Sequence, residues 1–249
     1  KVNNIKRAIT FSPVLRERIG HHIYGEIWSD NIKKFLNEQN LLDRPIHIIS
    51  ANMHSVMNSI YAKGAVPTEA KNNNGFKLFE LLSNENSKDF QVKVKNYASK
   101  NGLIYVKDDS GTNINVQIID TEKIDFKTTN YTKVNSKNKK PVLIVMDYAF
   151  GEQAYETMDE LLKPYLTETK KVHLKVESVS IMGKAGILEG GKGDIMIPSS
   201  HFFEGTADNY PFKNELSKED LEGFGLAVFD GAMVSVLGTS LQNKDILKE

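Results

Sequence analysis

Residues 177–212 read ESVSIMGKAGILEGGKGDIMIPSSHFFEGTADNYPF, and this stretch decides the fold that the sequence predicts. An apolar, β-branched run at 179–182 leads into the glycine turn 183–186, and a second glycine-rich turn at 189–193 precedes a short apolar strand at 195–197. A strand ending in a glycine turn is typical of the edge of an open α/β sheet, because glycine lets backbone N–H groups approach a ligand. We therefore predict a ligand site at this turn.

A second strand–turn–helix unit is predicted at residues 45–63. The apolar residues of 46–49 indicate a short buried strand, residues 50–52 form its turn, and an apolar helical stripe follows. Ser50, Asn52 and His54 lie at or just after this turn. The interpretation of His54 stays open between a polar contact in the crevice and a surface residue of the first helical turn.

Residues 141–165 predict a third unit of the same kind. The continuous apolar run 142–146 is typical of a strand buried on both faces, and residues 152–162 predict a helix. The turn between them lies at the carboxyl end of its strand, so its polar groups are expected to face the same crevice as the turn at 183–186. A helix that starts there suits an anion or a hydroxyl group.

Composition bounds the function classes. The chain has 249 residues with 32 basic and 32 acidic side chains, so no net charge attracts nucleic acid or an anionic membrane. It has no cysteine, no apolar run near the roughly 20 residues of a membrane span, and a first segment too polar for a secretory signal. We expect a cytoplasmic protein with a small-molecule ligand and no nucleic acid or membrane partner.

The glycine turns carry a resemblance to a known family. Gly183-Lys184-Ala185-Gly186-Ile187-Leu188, followed by Gly193-Asp194-Ile195-Met196-Ile197-Pro198, resembles the signature G-S-A-G-G-L … G-D-I-V-I-P of the nucleoside phosphorylase/nucleosidase superfamily. Residues 50–54 stand where that family has a small-residue turn opening a helix, and residues 151–154 resemble its G-I-G-x-x-N-A unit.

The resemblance implies the architecture of the whole chain. It implies an α/β three-layer sandwich around a mixed, mostly parallel twisted sheet at 45–249, with an insertion at about 64–140. Residues 1–44 are predicted to be a helical extension, because apolar residues recur there at helical spacing. Members of the family are symmetric oligomers, so the resemblance also implies a homo-oligomer.

The implied activity is cleavage of the N-glycosidic bond of a purine nucleoside or an AMP-like nucleotide. The acidic Glu152 favours hydrolysis over phosphorolysis. Phosphate stays a possible co-substrate, and no cofactor is expected. Glu152 and Asp208 are the predicted catalytic residues. The predicted substrate-binding residues are Ser50, Asn52, His54, Gly151, Gly183, Lys184, Ala185, Gly186, His201 and Glu204.

Several alternatives stay open. Glu152 is equally a first-turn helix residue, and Asp108 and Asp109 are turn formers rather than metal ligands, so no metal site is predicted. The family's later Met-Glu pair and aspartate do not occur before Glu249. Either a C-terminal portion is missing from this sequence, or the protein is a catalytically inactive nucleotide-binding or scaffold module of the same fold.

Overall fold

The structure is a computed structural model that describes residues 21–73, 75–131, 140–149, 151–167, 169–187, 189–203 and 209–235. Contacts divide the chain into two units, residues 1–183 and residues 184–249, and each unit is described by itself. The boundaries predicted from the sequence, after residue 44 and around 64–140, stay predictions.

The first unit is built on a five-stranded sheet. The strands of this sheet are β1 (Pro45–Ser50), β2 (Leu103–Val106), β3 (Val116–Asp120), β4 (Val142–Met146) and β7 (Lys175–Ile181), in the order β2-β3-β4-β1-β7. The short strands β5 (Tyr165–Leu166) and β6 (Lys171–Val172) form a separate two-stranded sheet. The strands β4 and β7 both run parallel to β1, whereas β3 is antiparallel to both β2 and β4.

Six α-helices surround this sheet in the described part of the unit. They are α1 (His21–Glu38), α2 (Met53–Ala65), α3 (Pro67–Asn72), α4 (Gly75–Ser83), α5 (Lys88–Lys100) and α6 (Gly151–Leu162). Short 3₁₀ turns occupy Glu85–Ser87, Thr121–Lys123 and Phe126–Thr128. The predicted N-terminal helical segment is thus helical over α1, and residues 1–20 lie outside the described residues.

The helices cover both faces of the sheet because successive strand side chains point to opposite sides. One face contributes Ile46, Ile48 and Ile144 to a core with Trp28 and Leu36 of α1. The other face forms a second core with α2, α4 and α5, and its members include Ile119, Val145, Met57, Leu82 and Val94. The helix α6 reaches the first core through Leu161.

The second unit contains a three-stranded sheet. Its described elements are β8 (Ile195–Phe203), β9 (Asn209–Pro211), α7 (Lys218–Leu221) and β10 (Val228–Ser235), and the strand order is β10-β8-β9. β10 is parallel to β8, and β9 is antiparallel to it. Val228 is the buried hydrophobic residue of this sheet in the part of the unit that the structure describes, so most of its side chains contact solvent.

The predicted α/β class with a mixed sheet is confirmed, and one strand differs from its expected environment. The run at 179–182 was expected to be a buried strand, but among the described strands β7 lies at the edge of the sheet, beside β1. Val179 is 47% exposed and Ile181 is 80% exposed as a result. No helix among the described residues has the length and apolar character needed to cross a membrane.

Candidate functional site

The carboxyl ends of three parallel strands meet at one edge of the main sheet. In the strand registers Ser50 lies beside Met146 and beside Ile181, which are the last residues of β4 and β7. Backbone hydrogen bonds continue past the strands: Ala51 N–H donates to Met146 O at 3.2 Å, and Met182 N–H donates to Ser50 O at 2.9 Å. The turns that follow β1, β4 and β7 therefore start at neighbouring positions along the same edge of the sheet.

The connections from β1 and β4 leave this edge toward opposite faces. After β1 the chain enters α2, which packs in the core with Val145 and Ile119. After β4 the chain enters α6, which packs with α1 on the other face. Neighbouring parallel strands with connections on opposite faces leave a crevice between them, and open α/β sheets bind their ligands in that crevice. We call the region after Ser50 and Met146 the β1–β4 crevice.

The β1 side of the crevice carries three of the predicted site residues. Ser50 is half-buried, and Asn52 and His54 are exposed. Asn52 is also the N-cap of α2, because its Oδ1 accepts a hydrogen bond from Ser55 N–H at 3.0 Å. The sequence therefore placed these residues at the same turn, and the structure adds a capping role for Asn52.

The β4 side begins with Asp147, a residue absent from the predicted site. Its backbone N–H donates to Asn115 O at 3.0 Å, and its Oδ1 accepts from Tyr148 N–H at 2.9 Å. Gly151 starts α6 at this edge, and the backbone of Glu152 lies in its first turn. The side chain of Glu152 lies outside what the structure describes. An acidic residue directly after a buried strand is the sequence signal that could have identified Asp147.

The loop between β2 and β3 lies at the same edge, because Val116 pairs with Met146. Asp108 organises this loop: its Oδ1 accepts from Ser110 N–H at 3.0 Å and its Oδ2 from Asn113 N–H at 2.7 Å. Burial opposes the charge, but these hydrogen bonds outweigh it and lower the pKa of Asp108. Asp108 thus acts as a turn former, and no group of three potential metal ligands occurs among the described residues.

The residues of the predicted glycine turn at 183–186 are exposed, and its two glycines are not packed against other atoms of the described residues. Gly183, at the end of the first unit, and Gly186, in the second, each have open space where a Cβ would stand, and neither has a positive φ. Lys184 and Ala185 between them are exposed. Neither packing nor backbone conformation therefore requires glycine at 183 or 186.

The second glycine-rich turn differs in this respect. Gly190 has φ +99°, and a Cβ there would lie 2.7 Å from Phe229 Cε2. Asp194 closes the turn, since its Oδ2 accepts from Gly191 N–H at 2.7 Å. Gly193, with φ +103°, and Asp194, which together precede the predicted strand at 195–197, are accordingly explained by folding of the turn.

His201 lies within β8 rather than in the predicted loop after a strand. Its Nε2 is 2.9 Å from Ser235 Oγ on β10. In the strand registers it stands between Tyr210 of β9 and Met233 of β10. The sequence could not reveal Ser235, because only strand pairing brings the two residues together. Glu204 and Asp208, the other site residues predicted nearby, lie outside the described residues.

The main sheet, with helices on both faces and connections from β1 and β4 that leave on opposite faces, defines the class as α/β with a mixed sheet. The chain belongs to the family of unknown function DUF6909, whose model matches residues 61–249. Searches of the curated proteins and of the solved structures found no significant match.

Proposed function

We propose that this chain cleaves the N-glycosidic bond of a purine nucleoside or an AMP-like nucleotide, with water favoured over phosphate as the nucleophile. The observation that carries the proposal is the β1–β4 crevice, where the ends of β1 and β4 lie in one row and their connections leave on opposite faces. Crevices of this kind are the nucleotide-binding sites of open α/β sheets. The resemblance at 183–198 suggests the class of reaction, and it also suggests the three-layer architecture that we propose for the chain.

The reaction breaks the bond between the ribose carbon C1′ and the base nitrogen. The oxygen of water bonds to C1′, one proton of that water is removed, and the base leaves with a proton on its nitrogen. The ribose carries positive charge in the transition state, so catalysis needs an aligned nucleophile, a stabilised cation and an acid for the base. We assign Glu152 to the water or a ribose hydroxyl and Asp208 to the leaving base.

The β1–β4 crevice suits the ribose end of such a ligand. The N-termini of α2 and α6 both lie at this edge, and backbone N–H groups in the first turn of a helix favour anions and hydroxyl oxygens. Asp147, which is half-buried and directly follows Met146 at the end of β4, adds a carboxylate of the kind that accepts hydrogen bonds from hydroxyl groups.

The glycines at 183 and 186 give separate support. Because folding does not require glycine at either position, close approach of a ligand to the backbone accounts for both. The positive charge of the exposed Lys184 suits a 5′-phosphate, which favours a nucleotide over a nucleoside. His201 and Glu204 are assigned to the base. The proposal needs no cofactor other than phosphate as a possible co-substrate, and it includes assembly into a homo-oligomer.

The test is to incubate full-length protein with AMP, adenosine, inosine and methylthioadenosine, with and without phosphate, and to measure released base by chromatography. We expect base release that does not require phosphate, and a large loss of rate in Glu152→Gln. The matched control is Asp159→Asn, which neutralises an exposed carboxylate later in the same helix and should keep the rate. No release from any of the four compounds would overturn the proposal in favour of an inactive nucleotide-binding module.

A further inference from the structure

The pair formed by His201 and Ser235 gives the second unit a feature that its sequence does not show. The imidazole Nε2 and the serine Oγ are 2.9 Å apart, and both side chains are half-buried. Both residues lie near the carboxyl ends of the parallel strands β8 and β10, which end at Phe203 and Ser235. A histidine held through one ring nitrogen has only the other nitrogen left for a ligand.

The direction of this hydrogen bond follows from the needs of the hydroxyl. A serine hydroxyl has one hydrogen to donate, whereas its oxygen can accept from water or stay partly unused. Among the described residues, His201 Nε2 is the partner that the structure gives to Ser235 Oγ. If Nε2 carried the proton, the hydrogen of the half-buried Ser235 hydroxyl would have to be accepted by water rather than by a protein atom of the described residues. Donation from Ser235 to Nε2 satisfies the hydroxyl and leaves the imidazole proton on Nδ1.

The surroundings of His201 fit a flat, partly apolar ligand. Tyr210 and Met233 stand on either side of it on the same face of the sheet, and both are exposed. Aromatic and thioether side chains contact the faces and edges of planar rings well. A ring bound there would meet the Nδ1–H group of His201 as a hydrogen-bond donor.

We propose that Ser235 is a positioning residue that fixes His201 as the Nδ1–H tautomer, so that His201 donates a hydrogen bond to an acceptor atom of a bound purine. The inference rests on the proposed function, because it takes His201 as a contact to the base. Ser235 itself does not touch the ligand. Its effect is to make His201 a hydrogen-bond donor toward the base through Nδ1, while Nε2 is bonded to Ser235 and does not contact the ligand.

The first test is spectroscopic and needs no substrate. In ¹⁵N-labelled full-length protein, the histidine side-chain resonances report which ring nitrogen carries the proton, and loss of one signal in His201→Asn assigns it. We expect the Nδ1–H tautomer in the wild type and in Ser235→Thr, which keeps a hydroxyl, and a mixture in Ser235→Ala. An Nε2–H tautomer in the wild type, or an unchanged tautomer in Ser235→Ala, would overturn the inference.

The second test uses whichever of AMP, adenosine, inosine and methylthioadenosine the wild type cleaves fastest. Ser235→Ala should raise KM by about five- to tenfold, as expected for one weakened hydrogen bond, with a smaller change in kcat. Ser235→Thr should restore KM. The control is Ser199→Ala, which removes a hydroxyl that contacts Gly231 O between the same two strands and should leave KM unchanged.

The two tests separate failure of the inference from failure of the proposed function. Base release by the wild type with an unchanged KM in Ser235→Ala contradicts the positioning role and leaves the proposed function standing. No base release from any compound contradicts the proposed function, whereas the tautomer measurement still decides the role of Ser235.

Discussion

Arg44 Nη1 and Asp120 Oδ1 form a buried ion pair at 2.8 Å, at the edge of the sheet opposite the β1–β4 crevice. Arg44 also donates to the carbonyl oxygens of Lys140 and Pro141, at 2.6 and 3.2 Å, just before β4 begins. One guanidinium thus connects the start of β1, the end of β3 and the start of β4. It fixes these strands at one end while their other ends remain available to a ligand.

Replacing Arg44 should therefore be strongly destabilising. Arg44→Met leaves the Asp120 carboxylate, which is 4% exposed, with the partly solvated Lys123 as its remaining ion-pair partner. We expect the free energy of unfolding to fall by about 3–5 kcal/mol, measured by urea denaturation. The control is Lys163→Met, which removes the ion pairs of an exposed lysine with Asp159 and Glu160 and should change stability far less. Equal losses in the two variants would contradict the role given to Arg44.

Lys33 should make stability depend on pH in the alkaline range. It is 2% exposed, its Nζ donates to Glu160 O at 2.6 Å, and burial lowers its pKa below that of an ordinary lysine. Between the lowered pKa and the ordinary value the unfolded chain binds more protons than the folded one. The contribution of Lys33 to the free energy of unfolding should therefore increase as pH rises through this interval.

The measurement for Lys33 is a series of urea unfolding curves at alkaline pH. Subtracting the Lys33→Met curve from the wild-type curve should isolate a contribution that rises with pH. The control is Lys34→Met, a change at the exposed neighbouring position that should alter the free energy of unfolding far less than Lys33→Met does. A wild-type contribution that falls as pH rises would show that the pKa of Lys33 is raised instead.

The two glycine turns should respond differently to alanine. Gly186→Ala meets no atoms, so we expect an unchanged melting temperature and, under the proposed function, a rate of base release reduced roughly ten- to a hundredfold. Gly190→Ala should lower the melting temperature, because its φ is +99° and its Cβ would overlap Phe229. Full activity in a well-folded Gly186→Ala protein would argue against ligand contact at this turn.

The contact between α2 and α5 should tolerate no side chain at Gly64. A Cβ at Gly64 would lie 2.6 Å from Tyr97 Oη and 2.8 Å from Thr128 Oγ1, two atoms that are hydrogen-bonded to each other at 3.0 Å. We expect Gly64→Ala to be destabilising by about 1–3 kcal/mol in thermal or urea unfolding, despite the higher helix propensity of alanine. Gly75→Ala, at a helical glycine with open space, should be neutral or stabilising.

The sequence correctly predicted a strand whose burial matches its pattern of apolar residues. The apolar run 142–146 is β4, because a strand with neighbours and helices on both sides needs apolar residues throughout. The sequence could not predict that β7 is an edge strand among the described strands, since an apolar run looks the same at the edge and in the middle of a sheet. The neighbouring positions of the turns after β1 and β4 were predictable, because both turns directly follow strands in the chain.

The second unit shows why the position of His201 was predicted incorrectly. The change from apolar to polar residues after Ile197 suggested that the strand ended there. β8 nevertheless continues to Phe203, and its pairing with β10 shifts register between Gly231 and Ala232, beside Pro198. Such an irregularity accommodates proline inside a strand, and a single sequence carries no signal for it.

The order of the strands also has a consequence for synthesis of the chain on the ribosome. β1 pairs with β4 and β7 and with no earlier segment among the described residues, and β4 starts only at Val142. A nascent chain must therefore hold the apolar segment Pro45–Ser50 without its sheet partners until much of the first unit has emerged, which exposes it to aggregation or chaperone capture. Fragments that stop before Met146 would lack the crevice altogether.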